Sequence, residues 1–309
     1  VYLAMSDVHT LRTLFFVGDF SAVLNLISRK TLTPEPGSED EEIATLKWRS
    51  LIAQGHLQQV INELSAASNE ASNVKSATLL LAQFIAAKDE DGQVQILGQM
   101  ESSDEQSNNS LSLIMTSQIY ISTGQYEVAL QKLLDLPIQS LEILSIEITC
   151  LLAMDAVPNA SRVLENMKKL NPEAALTQLS QALIDFHTGN YEEAQQIYED
   201  LTAKYNKTPF LLHQYAVALI HLGKYQDALD LLNESIAMQS YNPLAVSTLI
   251  GLYSRLSLCA GSNADEEKDQ ATYIARAQDL ALKAMQQYPT ASFVREIITF
   301  QSSIQAALA

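Results

Sequence analysis

Apolar and small residues recur along this chain at the spacing of a helix face packed against its neighbours. After Ala129, Ala160, Ala194 and Ala228, the pairs Leu133 and Leu136, Leu164 and Met167, Tyr198 and Leu201, and Leu232 and Ser235 follow four and seven positions on. That spacing lines them up on one side of a helix with 3.6 residues per turn. Strict apolar–polar alternation of the strand kind is absent. Gly and Pro number only 10 and 8 in 309 residues, so long helices with few interruptions are expected and a sheet is not.

The helices come in pairs with a period. Gly189, Tyr191 and Ala194 recur as Gly223, Tyr225 and Ala228, a shift of 34 residues (223 − 189). A Gly-x-aromatic-x-x-Ala element at this interval is the mid-hairpin signature of the tetratricopeptide repeat. Gly124, Tyr126 and Ala129 form a full copy; Gly18, Phe20, Val23 and Gly55, Leu57, Val60 are degenerate ones. A further turn is expected near Asp89, with Asp91 and Val94 in the later slots, and another at Asp155, Val157, Ala160. Ala277, Ala281, Ala284 and Pro289 keep the second-helix pattern at the end. The expected fold is all-α: one tetratricopeptide-like α-solenoid over residues 1–309, of about seven hairpins with a C-terminal capping helix.

Glycine at the turn has a physical reason, since it alone takes the left-handed backbone there without a steric penalty. The small residue in the second helix lets two helix axes approach closely. One helix resists the scheme. From Glu173 to His187 the stripe Leu176, Leu179, Leu183, Phe186 would face inward under strict numbering, leaving Gln178, Gln181 and Asp185 in packing slots. A turn longer by about two residues would restore the stripe to the packing face, and that is the expected arrangement.

First helices of such hairpins line the concave face. With Leu212, Tyr215, Ala216 and Leu219 assigned to packing, Phe210, His213, Val217 and Ile220 are left toward the groove; in the first helix before Gly124, Leu111, Ile114 and Ile121 are left likewise, with Gln118 between them. An apolar strip of this extent is expected to bury a segment of another chain. The groove lacks the paired Lys and Asn or Arg with which chaperone-binding repeats clamp a terminal carboxylate.

Charge narrows the partners. A net charge of −17, from 36 acidic and 19 basic residues, argues against a nucleic-acid surface or a polybasic membrane patch. Acid collects in expected loops near 34–42, 102–110 and 262–270. No apolar run approaches the roughly 20 residues of a membrane span, and residues 1–20 read as an amphipathic helix rather than a signal peptide. A cytoplasmic protein with buried thiols at Cys150 and Cys259 is expected. Histidines without ligand spacing, and no nucleophile elbow or phosphate loop, leave no catalytic, cofactor-binding or metal residue to name, and no small-molecule substrate.

Ala175–Leu179 before Gly189, Thr208–Leu212 opening the next pair, Leu14–Phe20, and Tyr288-Pro289 followed by Phe293–Ala309 as an expected terminal helix carry a likeness. On these residues, along nearly its whole length and most clearly from Asn171 to Leu252, the chain resembles the epsilon subunit family of coatomer, the COPI vesicle coat. The resemblance implies a non-enzymatic coat subunit that holds the C-terminal domain of the alpha subunit, peripheral on Golgi membranes and COPI vesicles and serving Golgi-to-ER and intra-Golgi transport. A generic repeat scaffold or adaptor for short peptides, in a regulatory or tethering complex, is the alternative reading.

Overall fold

The computed structural model describes residues 4–29, 38–66, 72–87, 89–104, 109–136, 140–239, 242–259, 264–288, 291 and 293–299. Among them are sixteen helices that pair, one further helical segment and no strand. They pair as α1 (Ala4–Phe16) with α2 (Phe20–Ser28), α3 (Ser38–Ala53) with α4 (Leu57–Ala66), α5 (Asn73–Ala86) with α6 (Glu90–Asp104), α7 (Ser110–Ser122) with α8 (Tyr126–Leu134), α9 (Leu141–Ala153) with α10 (Val157–Leu170), α11 (Ala175–His187) with α12 (Tyr191–Tyr205), α13 (Pro209–His221) with α14 (Tyr225–Met238), and α15 (Pro243–Cys259) with α16 (Ala264–Gln287). The pairs number eight rather than about seven, and a further helical segment runs over 293–299. The chain divides into two compact units, Val1–Asn206 and Lys207–Ala309.

Six turns within hairpins are built alike. Gly18, Gly55, Gly124, Gly189 and Gly223 have φ between 75° and 83°, and Asp155 takes the same slot with φ 59°. The amide of the next residue then donates to a carbonyl five positions back: Asp19 to Leu14, His56 to Leu51, Gln125 to Tyr120, Ala156 to Leu151, Asn190 to Asp185 and Lys224 to Leu219, all at 2.8–2.9 Å. This closure satisfies carbonyls that the helix end would otherwise orphan. Asp155 can stand in because a short polar side chain tolerates the left-handed region. Gly189→Ala is expected to cost about 1–2 kcal/mol through backbone strain alone, read as a lower midpoint in thermal melts.

The small slots are filled as expected: Ala129, Ala160, Ala194 and Ala228 are fully buried, with Leu133, Leu164, Met167, Tyr198, Leu201, Leu232 and Ser235 beside them. In the N-terminal unit a core cluster joins Phe84, Met115, Tyr120, Leu133 and Ile143 across α5 to α9. In the C-terminal unit Leu219, Leu232, Leu249 and Tyr253 form the corresponding core, and Val294 packs with Val246, Ala284 and Tyr288 beyond it.

Three local expectations are corrected. The α11/α12 turn has the same length as the others, so Thr177, Ser180, Ile184 and Asp185 are buried while Leu176 and Leu179 are half-buried and Leu183 is 38% exposed. Polar residues can hold the packing slots because they satisfy one another: Gln181 Nε2 donates to both Asp185 carboxylate oxygens at 2.9 Å. Burial, and then the Asp185 charge, push the Tyr198 hydroxyl behind it up to about 12. Val94 is 65% exposed rather than in a packing slot, and Met100 is buried in its place. The α5/α6 turn falls near Asp89 as expected, and there the Asp89 carboxylate accepts from the Gly92 amide at 2.9 Å.

The acidic segments near 34–42 and 262–270 are also partly helix. Ser38 to Glu42 begin α3, where carboxylates favour the positive end of the helix, and the acidic insertion after Cys259 lengthens α16 to 24 residues. The segment near 102–110 holds the last turn of α6 and the start of α7, Asn109 capping the latter by accepting from the Leu111 amide at 2.9 Å. Residues 34–37, 105–108 and 262–263 lie outside the described ones. Cys150 is buried, its thiol pushed up to about 11 by burial and then by Glu147; the Cys259 side chain lies outside the described residues.

Candidate functional site

Within the N-terminal unit the first helices of five hairpins, α1, α3, α7, α9 and α11, border a cavity of about 810 Å³. Its wall takes Arg12 and Phe16 from α1, Glu42, Thr45 and Arg49 from α3, Leu111 and Ile114 from α7, Leu141 and Glu142 from α9, and Ala175 and Leu176 from α11. The arc of helices curls far enough that α1 touches α11. The amino ends of α7, α9 and α11 therefore all open on the same space.

The wall is less greasy than the sequence suggests. Of the expected inward residues, Leu111 is half-buried and lines the cavity, Ile114 lines it but is only 2% exposed and belongs to the core cluster, and Ile121 packs on that cluster outside the cavity wall. In the C-terminal unit Phe210 and Val217 are half-buried, and Ile220 leans on the core of its own unit. His213 is not a groove residue. It is 9% exposed and its Nε2 lies 2.9 Å from Thr248 Oγ1 on α15. Thr248 spends its hydroxyl proton on the Leu244 carbonyl at 3.0 Å, so His213 donates from Nε2. Burial pushes its imidazole down to about 4. The reason is α15, the next first helix, which packs on α13 and brings Thr248 to His213.

Sequence reasoning missed the charged part of the wall. Arg12 pairs with Glu42, its Nη2 donating to Oε2 at 2.6 Å. Arg49 donates through Nη2 to Glu142 Oε1 at 2.5 Å, bridging α3 and α9, and its guanidinium lies 4.4 Å from the Phe15 ring centroid. Glu41 accepts from Asn109 at 3.5 Å, and Glu173 lies 3.8 Å from Lys204 Nζ. All four carboxylates of the wall are thus engaged.

A signal for these residues did exist. Counting thirteen positions back from the turn residue gives Leu111 before Gly124, and by the same offset Glu42 before Gly55, Glu142 before Asp155 and Leu176 before Gly189. All four line the cavity. Six positions back from Gly18 and Gly55 stand Arg12 and Arg49.

Among the described residues no cluster of His, Cys, Asp or Glu could hold a metal ion, and no helix is long and apolar enough to cross a membrane.

A family model described as the coatomer epsilon subunit matches residues 4–257. The chain is similar to coatomer subunit epsilon-2 of Oryza sativa subsp. indica, 27% identical over 248 residues that span 78% of this chain and 81% of that one. It is likewise similar to coatomer subunit epsilon of Dictyostelium discoideum, 28% identical over 245 residues, 77% of this chain and 81% of that one. Two solved structures share the fold alone. A tetratricopeptide repeat protein from Parabacteroides merdae superposes with a TM-score of 0.50 at 16% identity, over 79% of this chain and 94% of its own. The APC/C hetero-tetramer Cut9-Hcn1 gives 0.55 at 14% identity, over 88% of this chain and 54% of its own. A match to the family model over most of the chain, on an all-α repeat scaffold, means that the chain belongs to the coatomer epsilon subunit family, structural and non-enzymatic subunits of the COPI vesicle coat.

Proposed function

We infer that this coat subunit binds and stabilises the C-terminal domain of the coatomer alpha subunit, taking a segment of it along the inner rows of first helices, and so serves Golgi-to-ER and intra-Golgi vesicle transport. Membership of the epsilon family supports the reading over that of a generic peptide adaptor. The observation that carries it is the cavity of about 810 Å³ lined by first helices, large enough to bury several side chains. A permanent hetero-complex of this kind is expected to bury about 2,000 Å² or more. A partner present at 1,000 times its dissociation constant would add about 4 kcal/mol to the stability of the subunit. Such a subunit acts in the cytoplasm and sits on Golgi membranes and COPI vesicles through the coat rather than by inserting in the bilayer.

The test is co-expression with the C-terminal domain of the alpha subunit and measurement of the co-purified complex. Leu111 and Val217 are half-buried and belong to neither unit's core, so Leu111→Asp and Val217→Asp probe the two inner rows separately and spare the packing. Each is expected to weaken binding about tenfold to a hundredfold, the cost of burying an unpaired carboxylate, with helix content unchanged by circular dichroism. If the unmodified chain fails to hold the alpha domain, or both variants hold it as tightly as the unmodified chain, this reading is wrong.

A further inference from the structure

We propose that the unpaired Nε of Arg49 anchors a carboxylate on the partner segment that enters the N-terminal cavity. The inference rests on the reading above and adds the chemistry of the occupant. Every carboxylate in the cavity wall already has a donor: Glu42 has Arg12, Glu142 has Arg49, Glu41 has Asn109 and Glu173 has Lys204. The side-chain donor left over is the Arg49 Nε.

Arg49 is 7% exposed, and its Nε is buried with no hydrogen-bond partner. Glu142 takes only Nη2, so the fork of Nε and Nη2 that suits a carboxylate side-on is half used. A guanidinium satisfied at one point and orphaned at the other is an expensive arrangement in a buried wall.

A second set of donors opens on the same cavity. Ala174 gives the 13-residue α11 no side-chain cap, and Ala175 and Leu176 of its first turn line the space. Uncapped amides at the positive end of a helix favour an anionic acceptor. Glu142 keeps its bond to Arg49 Nη2, and the first turn of α9 supports its charge as well. An Asp or Glu of the incoming segment then takes Nε, beside the Glu142 pair.

Arg49→Lys separates the anchor from the fold. Lysine keeps the positive charge and the Glu142 pair but has no Nε fork. The variant is expected to melt within a few degrees of the unmodified chain and to bind the C-terminal domain of the alpha subunit about tenfold more weakly. Changing each Asp and Glu of the alpha domain to its amide, with this chain untouched, is expected to find one that reproduces the loss and on which Arg49→Lys has no further effect. Unaltered binding by Arg49→Lys, or no acidic residue of the alpha domain coupled to it, overturns the anchor while the proposed function stands. Failure of the unmodified chain to bind the alpha domain brings down both.

Discussion

Arg49→Met is expected to destabilise the N-terminal unit by about 3–5 kcal/mol, whereas Arg49→Met with Glu142→Met should return most of that loss. The Arg49 and Glu142 side chains are 7% and 15% exposed, so removing one partner leaves the other as an uncompensated charge in a wall with little water. Removing both leaves apolar volume where the pair had been. The arithmetic of buried ion pairs therefore puts the single change at the large end of point-mutant effects and the double near neutral. Denaturant midpoints of the two singles and the double measure it directly. A loss in the double as large as in Arg49→Met would mean that the ion pair itself, rather than the orphaned charge, holds α3 to α9.

Acid is expected to weaken the C-terminal unit through His213. Its imidazole is held down to about 4 by burial, against about 6.5 in an unfolded chain. As pH falls below about 6.5 the unfolded state takes up the proton first. The stability tied to this group is therefore complete above about pH 6.5, declines from there to about pH 4, and levels off below. At about 1.36 kcal/mol per pH unit the loss is about 2 kcal/mol by about pH 5 and about 3 kcal/mol below about pH 4. His213→Gln cannot titrate and can still donate to Thr248. The gap in melting temperature between the two proteins should narrow or reverse from about pH 7.5 to about pH 5. Parallel pH profiles would mean that His213 is reached by water in both states.

What the sequence makes legible follows from how local each cause is. A turn depends on one residue that accepts positive φ, so Gly124, Gly189 and Gly223 announce it, and so does Asp155 once the period is known. The rotation of α11 is hidden because Gln181 and Asp185 occupy packing slots, which only their mutual hydrogen bonds explain. His213 falls inward by its offset alone, yet Thr248 on α15 claims it. Arg49 and Glu142 lie 93 residues apart, and no propensity or local pattern pairs them. Their offsets from Gly55 and Asp155 do place both in the inner row, so the row is readable in the N-terminal hairpins too, once polar residues are admitted to it.

The poorly seated α6 gives the molecule an uneven resistance to opening. Met100 is its one buried residue among those whose side chains are described, and its principal neighbour is its own hairpin partner α5. Helix α5 in turn is held from both sides, by α3 and α4 and by α7. The second helix of that hairpin can therefore fray and reseal while the rest of the stack stays intact, at a free energy well below that of global unfolding. Its amides would trade hydrogen with solvent early, and a proteolytic nick there would leave the flanking hairpins still folded.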